Sequence, residues 1–180
     1  MRTATPVFTI GHSTRSIPEF VDILSGGEVK LVVDVRTVPR SRTNPQYNAD
    51  LLPAELEPFG VDYRRIAELG GLRGRSRDVA AEVNGYWQNR SFHKYADYAL
   101  SDPFAAGLAQ LSSLAEETVT VIMCSEAVWW RCHRRIIADY LLLHGRTVCH
   151  LMGGGRIEEA SMTPGAVPAN GHLTYPTAPA

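Results

Sequence analysis

VFTIGHSTRSIPEFVDILSGGEVKLVVDV, residues 7–35, decides the fold. Val7-Phe8-Thr9-Ile10 is a β-branched and aromatic run stopped by Gly11, which predicts a strand. Ser16-Ile17-Pro18-Glu19 opens a helix: Ser16 is a good N-cap, Pro18 fits the first turn, and Glu19 stands three residues after the cap. Phe20, Ile23 and Leu24 supply its apolar stripe, and Gly26-Gly27 ends it. Leu31-Val32-Val33-Asp34-Val35 is nearly continuous apolar sequence, the pattern of a strand buried on both faces. Strand, helix and strand within about 30 residues make a βαβ unit, with parallel pairing and a right-handed crossover.

The same alternation returns in the last third. Val119–Cys124 predicts a buried strand, Arg131–His144 an amphipathic helix closed by Gly145, and Thr147–Met152 another strand. Between these ends the pattern weakens. Thr37–Pro58 holds Pro39, Pro45, Pro53 and Pro58 and reads as a long loop broken by a short helix near Ala49–Glu57. Val61–Tyr63 reads as a short strand, and Leu69–Arg75 as a turn-rich loop. Ser91–Leu100 and Phe104–Glu116 read as helices separated by the capping sequence Ser101-Asp102-Pro103. The expected architecture is one α/β domain over residues 1–163, a mostly parallel sheet flanked by helices in a Rossmann-like three-layer arrangement. Residues 164–180, rich in Pro, Ala, Gly and Thr, are expected to form a loosely ordered tail.

Composition narrows the function classes. The 180 residues are 44% hydrophobic and 21% charged, ordinary globular values, with a formal net charge of -1. That balance excludes a strongly basic nucleic-acid binder, although it leaves room for a local basic patch. Cys124, Cys132 and Cys149 are too few for a disulfide framework. The start, Met1–Pro6, lacks the apolar run of a signal peptide, and no stretch approaches the roughly 20 apolar residues of a membrane span. The expectation is a cytoplasmic protein with reduced thiols and no membrane partner.

Chemistry concentrates after the strands. His12 and Ser13 follow the first, Asp34 and Arg36 end the second, and Cys124-Ser125-Glu126 ends the third. In an open parallel sheet these ends share one edge, where ligands bind. The densest segment runs from Cys124 to Arg135 and includes Trp129, Trp130, Cys132, His133 and Arg134. A thiol at a helix start beside arginines meets a condition for nucleophilic work. The expected catalytic set is Cys124, Glu126, Asp34, His12 and His133. The expected substrate contacts are Ser13, Arg36, Tyr47, Trp129, Trp130 and Arg134.

Structural readings compete with these roles. Cys149 lies inside an apolar strand and reads as core, and Cys132 on a buried stripe reads mainly as structural. Asp34 could cap a loop, Arg36 could sit in an ion pair, and the two tryptophans could cover the sheet edge. Cys124, Cys132, His133 and His12 could in principle make four zinc ligands. However, Cys-x-x-Cys knuckles are absent, and neighbours placed on one helix point in different directions, so no metal is expected. Gly153-Gly154-Gly155 is a weak phosphate-loop signal, because it lacks the spacing and following lysine of a P-loop. The sequence names no cofactor, and the expectation is none.

Thr9-Ile10-Gly11-His12-Ser13, Asp34-Val35-Arg36 with Pro39, Leu69-Gly70-Gly71, and Cys124-x-Glu126 followed by Cys132-His133-Arg134 together resemble the bacterial and archaeal family catalogued as domain of unknown function 488. The resemblance spans roughly residues 7–152 and implies the fold and the site, not a reaction. The chain departs from it at Val128-Trp129-Trp130, where many members carry a shorter or proline-containing link. A strand-end cysteine after Asp-Val-Arg also resembles rhodaneses and cysteine phosphatases, but Arg131 comes later after Cys124 than their anion-cradling loops require.

Two readings of function follow. In the first the chain is an enzyme, a hydrolase or transferase with an acid–base carboxylate and a candidate cysteine nucleophile. Its substrate would be a small anion, a nucleotide or a nucleic-acid base, held by arginine forks and aromatic rings. In the second it is a non-catalytic nucleic-acid- or partner-binding module. That reading uses the basic bias of Arg36, Arg40, Arg42, Arg64, Arg65, Arg73, Arg75 and Arg77. The sequence does not set the oligomeric state.

Overall fold

The computed structural model describes residues 4–178. Strands β1 (Val7–Gly11), β2 (Leu31–Asp34), β3 (Asp62–Arg65), β4 (Thr120–Cys124), β5 (Val148–Gly153) and β6 (Arg156–Glu159) form one six-stranded sheet in the order β3-β2-β4-β1-β5-β6. The first five run parallel and β6 returns antiparallel at the edge. Residues of β1, β2 and β4 alternate between two cores, because successive side chains of a strand point to opposite faces. Phe8, Ile10, Val32, Val121 and Met123 face α1 (Ile17–Ser25) and α2 (Leu52–Leu56). Val7, Leu31, Val33, Ile122 and Cys124 face α3 (Arg90–Tyr98), α4 (Asp102–Glu117) and α5 (Arg134–Leu143). The result is the expected three-layer α/β domain.

Helix starts follow their caps. Ser16 accepts from the backbone N–H of Glu19, Asn89 from those of Ser91 and Phe92, and Ser101 from that of Phe104. The last helix departs from its prediction. It begins at Arg134 rather than Arg131, because Trp129–Arg131 form a separate 3₁₀ turn and Cys132 is extended. Among the described residues no helix is long and apolar enough to cross a membrane.

The C-terminal segment also differs from the expected loose tail. β7 (Val167–Ala169) and β8 (His172–Thr174) pair as a hairpin, and Leu173 and Tyr175 are fully buried. Tyr175 donates to Asp139 at 2.8 Å, and its N–H donates to Asn84. Average composition hid two large apolar side chains that are enough to dock the segment.

Strand order positions the site. β4 lies between β1 and β2, with Gly11 opposite Cys124 and Asp34 opposite Met123. Their carboxyl ends are therefore level, and the three loops that follow share one crevice. Gly11 is required there: a Cβ at that position would overlap the backbone carbonyl of Glu126.

Candidate active site

A cleft of about 470 Å³ opens over these strand ends. One wall comes from β2 and its following loop. Arg36 grips Asp34 in a fork, with Nε donating to Oδ1 at 2.9 Å and Nη2 to Oδ2 at 2.7 Å. Nη2 also donates to the Tyr47 carbonyl at 2.6 Å, and Tyr63 donates its hydroxyl to Asp34 at 2.5 Å. Burial disfavours the charged guanidinium, but the Asp34 carboxylate outweighs it and holds Arg36 charged. Only Nη1 is left over, 3.3 Å from His12 Nε2.

That geometry sets the state of His12. Its Nδ1 donates to the Ser13 carbonyl at 2.8 Å, so Nε2 carries the lone pair and accepts from Arg36. The ring stacks on Tyr47 with centroids 4.1 Å apart. Burial, aided by the charge of Arg36, lowers its pKa to about 4 despite the bond to Ser13. His12 is a neutral, immobilised ring rather than a free base.

The opposite wall comes from β4 and the turn before α5. The extended backbone of Cys132 and the capping position of His133 turn both side chains toward Cys124. Their approach contradicts the expectation that neighbours on a helix diverge; neither lies within the helix. His133 Nδ1 lies 3.6 Å from Cys132 Sγ and 4.0 Å from Cys124 Sγ. His133 Nε2 donates to the Val35 carbonyl at 2.8 Å, which leaves the Nδ1 lone pair facing the two sulfurs. Gly71 makes room for this ring, since a Cβ there would fall 2.5 Å from Nδ1. In the Leu69-Gly70-Gly71 motif the last glycine is thus the packing surface for the imidazole, while Gly70 lies against Thr37.

Arg134 is 1% exposed and sits behind the sulfurs. It donates to Cys132 Sγ at 3.3 Å, to Thr9 Oγ1 at 3.3 Å and to the Glu126 carbonyl at 2.6 Å. Among the described residues it has no carboxylate partner. Burial opposes a Cys132 thiolate, but the Cys124 thiol and the Arg134 guanidinium overcome it and bring the pKa to about 6. Cys124 moves the other way. Its hydrogen bond to Cys132, with burial, pushes it up to about 12. The two thiols are coupled through their shared hydrogen bond, and Arg134 beside Cys132 favours loss of a proton from the pair on that side.

Of the expected residues, His12, Arg36, Cys124, Glu126 and His133 line the cleft. The others do not. Asp34 is fully buried under Arg36, and Tyr47 is fully buried under His12. Ser13 holds a left-handed backbone (φ 48°) outside the cleft. Trp129 stacks on His150 with centroids 4.5 Å apart and donates to Glu158, while Trp130 projects outward. Arg134 is buried behind the wall and does not line the cleft; its contact there is with Cys132 Sγ. Arg131 and Arg40 line the cleft together with Thr37 and Ser125. The signal for Cys132 was its position: cysteine and histidine directly before a helix, after a short turn.

No curated protein and no solved structure matches the chain. The family model described as Domain of unknown function DUF488 matches residues 16–141. That span contains Asp34, Arg36, Gly71, Cys124, Cys132, His133 and Arg134, that is, both cleft walls apart from His12. By that match the chain belongs to the family described as Domain of unknown function DUF488.

Proposed function

We propose that the chain is an enzyme, a hydrolase or transferase acting on a small anionic or nucleotide-type substrate in the strand-end cleft. One observation carries this reading: two thiols and an imidazole lone pair lie within 4.8 Å of one another on the wall of a cleft that also holds Glu126. A buried arginine without a carboxylate partner among the described residues, donating to one of these sulfurs, supports a functional site over a purely structural core. Glu126 is the acid–base group, exposed and free of any cationic side-chain partner among the described residues. Arg131 and Arg40 supply attraction for an anionic group at the rim, and Arg36 offers Nη1. The cytoplasm, where thiols stay reduced, suits such a site.

The test is a thermal-shift and turnover screen against nucleotides, nucleobases and small phosphate esters, repeated with Glu126→Gln. Stabilisation by one ligand class in both proteins, with turnover only in the unchanged protein, is expected. Ligand conversion that survives Glu126→Gln would remove the carboxylate from the mechanism.

A second reading, a nucleic-acid-binding module, has its own observation. Arg75, Arg77, Arg90 and Lys94 surround a separate depression of about 1100 Å³. The other sequence arginines do not join it. Arg36 is buried, and Arg73 stacks over Tyr98 at 3.7 Å while donating to two backbone carbonyls. Nucleic-acid binding that weakens steeply with salt and with Arg75→Ala or Arg77→Ala, without turnover of any ligand, would favour the module.

A further inference from the structure

We infer that Cys124, Cys132 and His133 form a binding site for a single zinc ion whose fourth position opens into the cleft. The ligand atoms are two sulfurs and one imidazole nitrogen, all within 4.8 Å of one another. A tetrahedral zinc with sulfur at about 2.3 Å and nitrogen at about 2.0–2.1 Å places those atoms about 3.8 Å (sulfur to sulfur) and about 3.6 Å (sulfur to nitrogen) apart. The observed sulfur-to-nitrogen separations are 3.6 and 4.0 Å. Both sulfur-to-nitrogen edges therefore already stand close to those of a coordination tetrahedron, and the sulfur-to-sulfur separation is within 4.8 Å.

The surroundings fit the same conclusion. Histidines that ligate zinc usually donate their other N–H to a carbonyl or carboxylate, which fixes the tautomer. His133 does this through Val35, and its free nitrogen points at the sulfurs. Arg134 donates to Cys132 Sγ, as an outer hydrogen-bond donor to a ligating thiolate would. Binding displaces the thiol protons of Cys124 and Cys132, which leave to solvent, and the site then holds two thiolates, one neutral imidazole and a dication. Softness selects against magnesium and calcium, which take oxygen ligands.

Three protein ligands with an open fourth position are the pattern of a catalytic rather than a structural zinc. All three residues line the cleft, and Glu126 lines it without joining the cluster. This deepens the enzyme reading above. When bound, zinc would make a water at the fourth position a nucleophile near neutral pH, with Glu126 placed to take its proton, so the class narrows to hydrolysis. That consequence rests on the enzyme reading; the metal site does not.

The full chain, freed of metal by a chelator under reducing conditions, is titrated with zinc and with cobalt. Expected are about one ion per chain and the visible and near-ultraviolet bands of tetrahedral, thiolate-ligated cobalt. Both should disappear in Cys132→Ser and in His133→Ala and persist in Cys149→Ser. A second measurement on the unchanged protein guards against misfolded variants. Zinc should slow alkylation of Cys124 and Cys132 by at least about tenfold and leave Cys149 unaffected. No saturable cobalt band together with alkylation indifferent to zinc would overturn the site, as would an ion retained by the Cys124→Ser, Cys132→Ser double variant. Zinc bound here without turnover of any ligand upholds the site and overturns only the enzyme reading. Turnover by a chain that binds neither metal overturns the site and leaves the enzyme reading standing.

Discussion

Two arginines are buried at the strand ends, and they are solved differently. Arg36 has a carboxylate: Asp34 meets its fork, and Tyr63 and Tyr47 complete the network. Arg134 has a hydroxyl, a carbonyl and a sulfur. The first wall is electrically self-contained and holds His12 still. The second contains a buried cation with no carboxylate partner among the described residues, set against a cysteine sulfur whose thiolate form it favours, and a thiolate is reactive and metal-binding. A closed ion pair organises a site, whereas an open one leaves charge for chemistry.

Replacing the carboxylate should give the largest effect. Asp34→Asn leaves Arg36 buried, charged and without an anion, since a guanidinium does not discharge at any ordinary pH. A loss of about 3–5 kcal/mol in chemical denaturation is expected. A loss under about 1 kcal/mol would show that the wall is not held by the ion pair.

Next comes acid. His12 and His150 are both buried with pKa values lowered to about 4. Below pH 6.5 the unfolded chain binds protons that the folded one refuses, so stability falls as pH drops from about 6.5 toward 4. At pH 5 the loss is about 2 kcal/mol for each ring. Denaturation midpoints unchanged between pH 7 and pH 5 would show that the rings protonate in place.

Arg134→Met sharpens the comparison directly. It should cost less than Asp34→Asn, about 1–2 kcal/mol for the lost hydrogen bonds, because Cys132 can take up a proton and become an ordinary buried thiol. Alkylation of Cys132 at neutral pH should slow at the same time, read by peptide mass. Equal losses from Arg134→Met and Asp34→Asn would erase the distinction between the two arginines.

The smallest expected stability change is at Glu126, which is exposed. Glu126→Gln should shift stability by no more than about 0.5 kcal/mol. A loss above about 2 kcal/mol would make Glu126 a structural residue and weaken its assignment as the acid–base group.

Much of this was legible in residues 7–35 and 119–152. Apolar runs, a capping box and glycine stops are local signals, so they gave the strands, the crossover helix and the level strand ends. They also brought His12, Arg36, Cys124, Glu126 and His133 to one cleft. The losses were of another kind. Trp129 and Trp130 looked like substrate platforms because no local pattern reveals that His150, 21 residues on, stacks beneath Trp129. Cys132 is core as read, but its approach to His133 and Cys124 was hidden because a helix was continued through it.

Sequence alone therefore determined the α/β class, the parallel order of alternation and the polar edge, because hydrophobic period and capping act between near neighbours. Tertiary structure decided which charges cancel. Val35 fixes the tautomer of His133 from 98 residues away, and Thr9 reaches Arg134 across 125. The extended turn at Cys132 then decides that two sulfurs and a nitrogen meet. Partners so far apart in the chain leave no period to read, and at a buried site the partner is what sets the charge, since the surrounding protein screens it so weakly.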